Sequence, residues 1–95
     1  IIMDKLEKKS MMDKMVRELE DILHSQTSLL KKLAQLEADN INLGNNLLEK
    51  QLPEIHGKVD DALTAVIALN TEFAEIRDKF VTDNKLDEVL TDTGS

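Results

Sequence analysis

The chain contains no cysteine, no tryptophan and no tyrosine, and its 95 residues include only two Phe, one Pro and three Gly. Without cysteine there is no disulfide framework, no thiolate zinc site and no cysteine nucleophile. Without large aromatics a packed α/β globule loses its usual anchors. One Pro and three Gly supply too few turns for a many-stranded sheet. An apolar run of the ~18 residues that a membrane span requires is also missing. So is any basic excess: 12 Lys and Arg stand against 19 Asp and Glu, a net charge of −7. A surface that neutralises phosphates clusters cations, so no nucleic-acid partner is expected. The opening Ile-Ile-Met is too short for a signal-peptide core, and a chain that does not begin with Met reads as a segment of a longer protein. With neither cysteine nor an Asn-x-Ser/Thr sequon, an intracellular, cytoplasmic setting is expected.

What is present is aliphatic and charged. Hydrophobic residues make up 41% of the chain and charged residues 33%, the balance of a helix bundle or coiled coil. From Met12 the apolar positions step by three and four, the period of a helix face. Written as heptads, a falls on Met12, Leu19, Gln26, Leu33 and Asn40, and d on Met15, Ile22, Leu29, Leu36 and Leu43. A polar residue at a, such as Gln26 or Asn40, either sets register and oligomer state or is simply solvated. The e positions Val16, Leu23 and Leu30 widen the stripe beyond a two-stranded seam, as in a helix with two neighbours.

The second segment keeps the same spacing without polar interruption. Its a positions are Leu52, Val59, Val66, Phe73 and Phe80, and its d positions Ile55, Ala62, Leu69 and Ile76. Leu63 and Ile67 broaden this face, and Ala62, Ala65 and Ala68 are small enough to admit another helix. Glu72 and Arg77 have the g-to-e spacing of an ion pair in a parallel coil.

Between the segments lie Gly44, Asn45, Asn46 and Pro53, the turn candidates, and the two heptad frames do not join across them. Gly44 sits where a left-handed cap ends a helix. Asn46 to Glu49 has the shape of a capping box, which would start a second helix near Leu47 with Pro53 inside it. Alternatively Pro53 is the first helical residue and 44–52 is loop. The resulting division is a first helix over 1–43, an interruption over 44–52, a second helix over 53–82, and an acidic, frayed tail over 83–95. Leu86, Val89 and Leu90 in that tail have the spacing of one last helical turn.

The expected fold is all-α: a hairpin of two long amphipathic helices, assembling into an oligomeric coiled coil or four-helix bundle. One long, kinked coiled-coil rod is the alternative. Two helices cannot cover stripes this broad, so association is expected, with itself as dimer or tetramer or with helices of another protein. The expected interface is Met12, Met15, Leu19, Ile22, Leu29, Leu33, Leu36 and Leu43 of the first helix with Ile55, Val59, Ala62, Val66, Leu69, Phe73, Ile76 and Phe80 of the second, and Val16, Leu23, Leu30, Leu63 and Ile67 are second-seam contacts.

Chemistry is sparse. His24 and His56, the two histidines, lie on different segments, lack a His-Glu-x-x-His spacing, and read as surface residues. No phosphate loop, calcium loop or carboxylate cluster with metal spacing occurs, so no metal, cofactor or catalytic residue is expected. Met3, Met11, Met12 and Met15 among lysines resemble a membrane-surface helix, but Asp4, Glu7 and Asp13 dilute the charge, and a coiled-coil start fits better. The expected function is non-catalytic oligomerisation or scaffolding. An adaptor that offers its acidic tail or the Gly44 loop to a basic protein is the alternative.

Overall fold

The computed structural model describes residues 4–86, and there the protein is a helical hairpin of two long helices, α1 (Lys5–Leu43) and α2 (Asn46–Asp83), with no strands among the described residues. Asp4 caps α1. Its carboxylate accepts the Glu7 N–H at 2.7 Å and its carbonyl accepts the Lys8 N–H at 3.0 Å. The backbone hydrogen bond from Glu7 holds the Asp4 carboxyl below its ordinary 3.8. From there the long run of Leu, Lys, Glu, Met and Ala carries the helix without a break.

The turn is shorter than 44–52. Gly44, with φ of +71°, ends α1 by donating to the Asn40 carbonyl at 2.7 Å. A Cβ at Gly44 would meet nothing within 4 Å, so backbone conformation alone asks for glycine there. Asn45 then caps α2: its side-chain oxygen accepts the Leu48 N–H at 3.1 Å and its carbonyl the Glu49 N–H at 3.0 Å. Asn46 is therefore the first helical residue, and the cap lies one residue earlier than the Asn46–Glu49 pattern suggests. Pro53 does not open the helix but stands inside α2. Its missing N–H leaves the Glu49 carbonyl without a helical donor, tolerable because Glu49 and Pro53 are both exposed to water.

Asn40 does not lie in solvent. It is 7% exposed, and its amide clamps the turn: Nδ2 donates to the Asn45 carbonyl at 3.0 Å and Oδ1 accepts the Asn45 N–H at 2.9 Å. At the other end α2 stops at Asp83. Asn84 bonds the Phe80 carbonyl through both its N–H at 3.1 Å and its amide at 2.8 Å, and Lys85 takes a left-handed φ of 55°. Leu86 is buried, so that part of the expected frayed tail is packed. Val89 and Leu90 lie outside the described residues.

The packing divides into two compact units, Asp21–Ala68 and Ile1–Glu20 with Leu69–Ser95. In the first, Leu23, Leu30 and Leu33 of α1 and Leu52, Val59, Leu63 and Val66 of α2 are buried or half-buried. In the second, Met12, Val16 and Leu19 of α1 and Phe73 and Phe80 of α2 are half-buried. Both units thus use a and e positions for their own packing, and the second adds the b residue Val81, 1% exposed.

Candidate functional site

The choice of a and e decides what is left over. Val16, Leu23, Leu30 and Leu63, the expected second-seam contacts, lie within the hairpin's own core, beside Met12, Leu19, Leu33, Val59, Val66, Phe73 and Phe80. The d positions, the half-buried Leu48 beside the turn apart, are instead turned outward. Met15, Ile22, Leu29 and Leu36 on α1 are between 45% and 49% exposed, and Ile55, Leu69 and Ile76 on α2 between 44% and 57%. Ala62 is exposed in the same row, as is Leu43 at the end of α1. Ile67, at a b position, is exposed away from both rows.

The d position lies about 80° around the helix from the middle of an a/e seam, at 100° per residue. In two antiparallel helices the same heptad edge falls on the same side of the pair. The opposite edge makes this visible within each unit. Asp21–Ala68 carries a groove of about 620 Å³ beside the turn, lined by Ala34 and Ile41 of α1 and Leu52 and Pro53 of α2. Ala34, Ile41 and Pro53 are all b positions. In the other unit Asp13 and Val16 share a depression with Ala74 and Arg77, again b and e residues of both helices. The d residues of each unit therefore share the face away from these grooves.

Polar contacts gather on the groove side. The His56 Nδ1 lies 2.8 Å from the Glu37 Oε1, so His56 is half-buried and partnered across the hairpin, whereas His24 is exposed. Arg77 is engaged within its own chain. Its Nε donates to Asp13 at 2.6 Å and its Nη1 to Asp78 at 3.0 Å, and Lys9 donates to Asp13 at 2.9 Å. Burial pushes the Asp13 carboxyl up, but the bonds from Arg77 and Lys9 and their charges outweigh it and leave it below 3.8. The same bonds raise the Arg77 guanidinium above its ordinary value. Asp13 and Arg77 line the depression of their unit and Glu37 lines the turn groove, each already engaged by a neighbouring partner.

Among the described residues two core polar atoms are unpartnered, the Gln26 Oε1 and the Asn70 Oδ1, each buried in its own unit. Spacing alone made Gln26 a register candidate, but nothing in the sequence marked Asn70, an e position. Among the described residues no group of three His, Cys, Asp or Glu could hold a metal ion, and no helix is long and apolar enough to cross a membrane. The candidate functional surface is thus the outward d rows, with the turn groove as a second feature. No family model, curated protein or solved structure matches the chain.

Proposed function

We propose that the protein is a non-catalytic self-assembly module, a scaffold whose hairpins associate through their d rows. The observation that carries this reading is the exposure of seven large aliphatic side chains at one heptad position of both helices, Met15, Ile22, Leu29, Leu36, Ile55, Leu69 and Ile76. Fully burying such a side chain gives about 1.5–3 kcal/mol, so covering the exposed half of each contributes roughly 5–10 kcal/mol per chain. That is comparable to the whole stability of a small domain. Rows this regular are more apolar than a soluble monomer ordinarily leaves in water.

Two substitutions separate the roles of core and row. Leu33 is 7% exposed, so Leu33→Asp places an unpaired charge inside the hairpin, and loss of the helical circular-dichroism signal is expected. Leu69 is 52% exposed, so Leu69→Asp should keep the helical signal and abolish association in sedimentation velocity. A Leu69→Asp protein that sediments like the parent refutes the reading.

The turn groove favours a second reading, an adaptor that presents the Gly44 end to a basic protein. Glu37 and Glu49 rim the apolar groove there, which suits a partner with an apolar anchor and a cation. Ile41→Asp, at a residue 83% exposed, should abolish capture of such a partner while leaving assembly intact.

A further inference from the structure

We infer that the occupant of the d rows is a second copy of this chain lying antiparallel, turns at opposite ends, with its two-fold axis passing beside Ser25 and Ala65. This rests on the self-assembly reading and adds the partner's orientation and register. The residues that flank the d rows on their outer side are the g positions. Along α1 these include Glu18, Ser25 and Lys32, and Glu18 and Lys32 stand seven residues on either side of Ser25. Along α2 they include Lys58, Ala65 and Glu72, and Lys58 and Glu72 stand seven residues on either side of Ala65.

Each helix is therefore self-complementary in an antiparallel pair. Glu18 of one copy meets Lys32 of the other, twice, and Lys58 meets Glu72, twice. A one-heptad shift puts Glu18 opposite Ser25 and loses the pairs. The apolar rows are compatible with this centre: Ile22 meets Leu29 about a point between Ser25 and Gln26, and Ala62 meets Leu69 about a point between Ala65 and Val66. Small beside large at the second contact suits close helix packing.

The two centres were derived from separate helices, yet they fall within about one turn of the same level of the hairpin. Glu37 touches His56. Twelve residues back along α1 and twelve on along α2 lead to Ser25 and Ala68, one turn from Ala65. At this level the outer flanks carry only small residues, Ser25 and Ser28 on α1 and Ala65 and Ala68 on α2, which lets two copies approach where the axis passes. Glu18, Lys32, Lys58 and Glu72 are all exposed. Lys32, Lys58 and Glu72 form no ion pair among the described residues, and Glu18 has only a 3.8 Å contact to Lys14.

The natural absence of cysteine makes the test clean. Ser25→Cys and Ala65→Cys are prepared separately, oxidised singly and as an equimolar mixture, and analysed without reductant, with a short bis-maleimide in parallel. The axis puts each residue beside its own symmetry mate, so each single variant should cross-link to itself, and the mixture should add little heterodimer. Cross-linking seen only in the mixture overturns the orientation, because it places α1 against the partner's α2. A light-scattering dimer with no cross-link in any sample overturns the register while leaving self-assembly standing. A monomer at every concentration overturns both. As a second arm, Glu18→Lys should weaken the dimer roughly 2- to 30-fold at low salt, and adding Lys32→Glu in the same chain should restore it. No restoration refutes the pairing.

Discussion

Replacing Asn40 by alanine removes the side chain that ties the end of α1 to the cap of α2. Two hydrogen bonds disappear, at 2.9 and 3.0 Å. Each contributes about 0.5–1.5 kcal/mol net, so about 2 kcal/mol is at stake. Asn45 is exposed, and its freed N–H and carbonyl regain water, which keeps the loss from growing further. Alanine also favours the helix over Asn by roughly 0.5 kcal/mol. The expected loss is therefore about 1.5 kcal/mol, or about 6–12 °C in Tm for a chain this size. Urea melts followed by circular dichroism read this directly, at one fixed protein concentration because association adds to apparent stability. Asn40→Asp should be worse than alanine at neutral pH, since it keeps the acceptor for the Asn45 N–H but turns a second oxygen toward the Asn45 carbonyl. Part of that loss should return in acid, where the protonated carboxyl can donate. An Asn40→Ala protein within about 0.5 kcal/mol of the parent, the range of ordinary surface changes, would refute the clamp.

Gln26→Leu should stabilise the hairpin by about 1 kcal/mol in the same melts, because it removes a buried oxygen that has no donor. Pro53→Ala should also stabilise, by roughly 1–3 kcal/mol, since it returns an N–H to the Glu49 carbonyl inside α2; a loss of stability would mean the proline is required where it stands. The Asp13 carboxyl has a folded pKa below its ordinary 3.8, so the stability it contributes is complete above that value and is lost as pH falls through the lower, folded one. Acid melts of Asp13→Asn should lack this component, and at neutral pH the variant should be less stable by up to about 1 kcal/mol.

Helical class, the long amphipathic faces and the end of α1 at Gly44 were legible from period and cap chemistry. The start of α2 was legible only as one of two versions: the Asn46–Glu49 pattern put it near Leu47 with Pro53 inside, within one residue of the observed start, while Pro53 as a helix opener gave the 44–52 loop that the structure does not have. The division of labour within the stripe was hidden as well. Three apolar heptad positions mark a broad face, but they do not say which two serve the chain's own partner. Coiled-coil convention chose a and d, and the hairpin uses a and e. On α2 the e row runs His56, Leu63, Asn70, Arg77 and Asn84, so polar side chains masked its inward position. His56 and Arg77 are held there by Glu37 and Asp13, contacts between residues 19 and 64 apart in sequence that no local pattern announces. The Asn40 clamp left a fainter trace: an Asn four residues before a helix-ending Gly that is itself followed by Asn.

The most direct test of the central claim, that the outward d rows are covered by a second copy, is the solution mass of the unmodified chain by light scattering on a sizing column over a wide concentration series. A peak at twice the chain mass, falling to one chain mass only on strong dilution, is predicted. A mass of one chain throughout, at the highest concentrations included, contradicts it and leaves the rows for a different protein to cover.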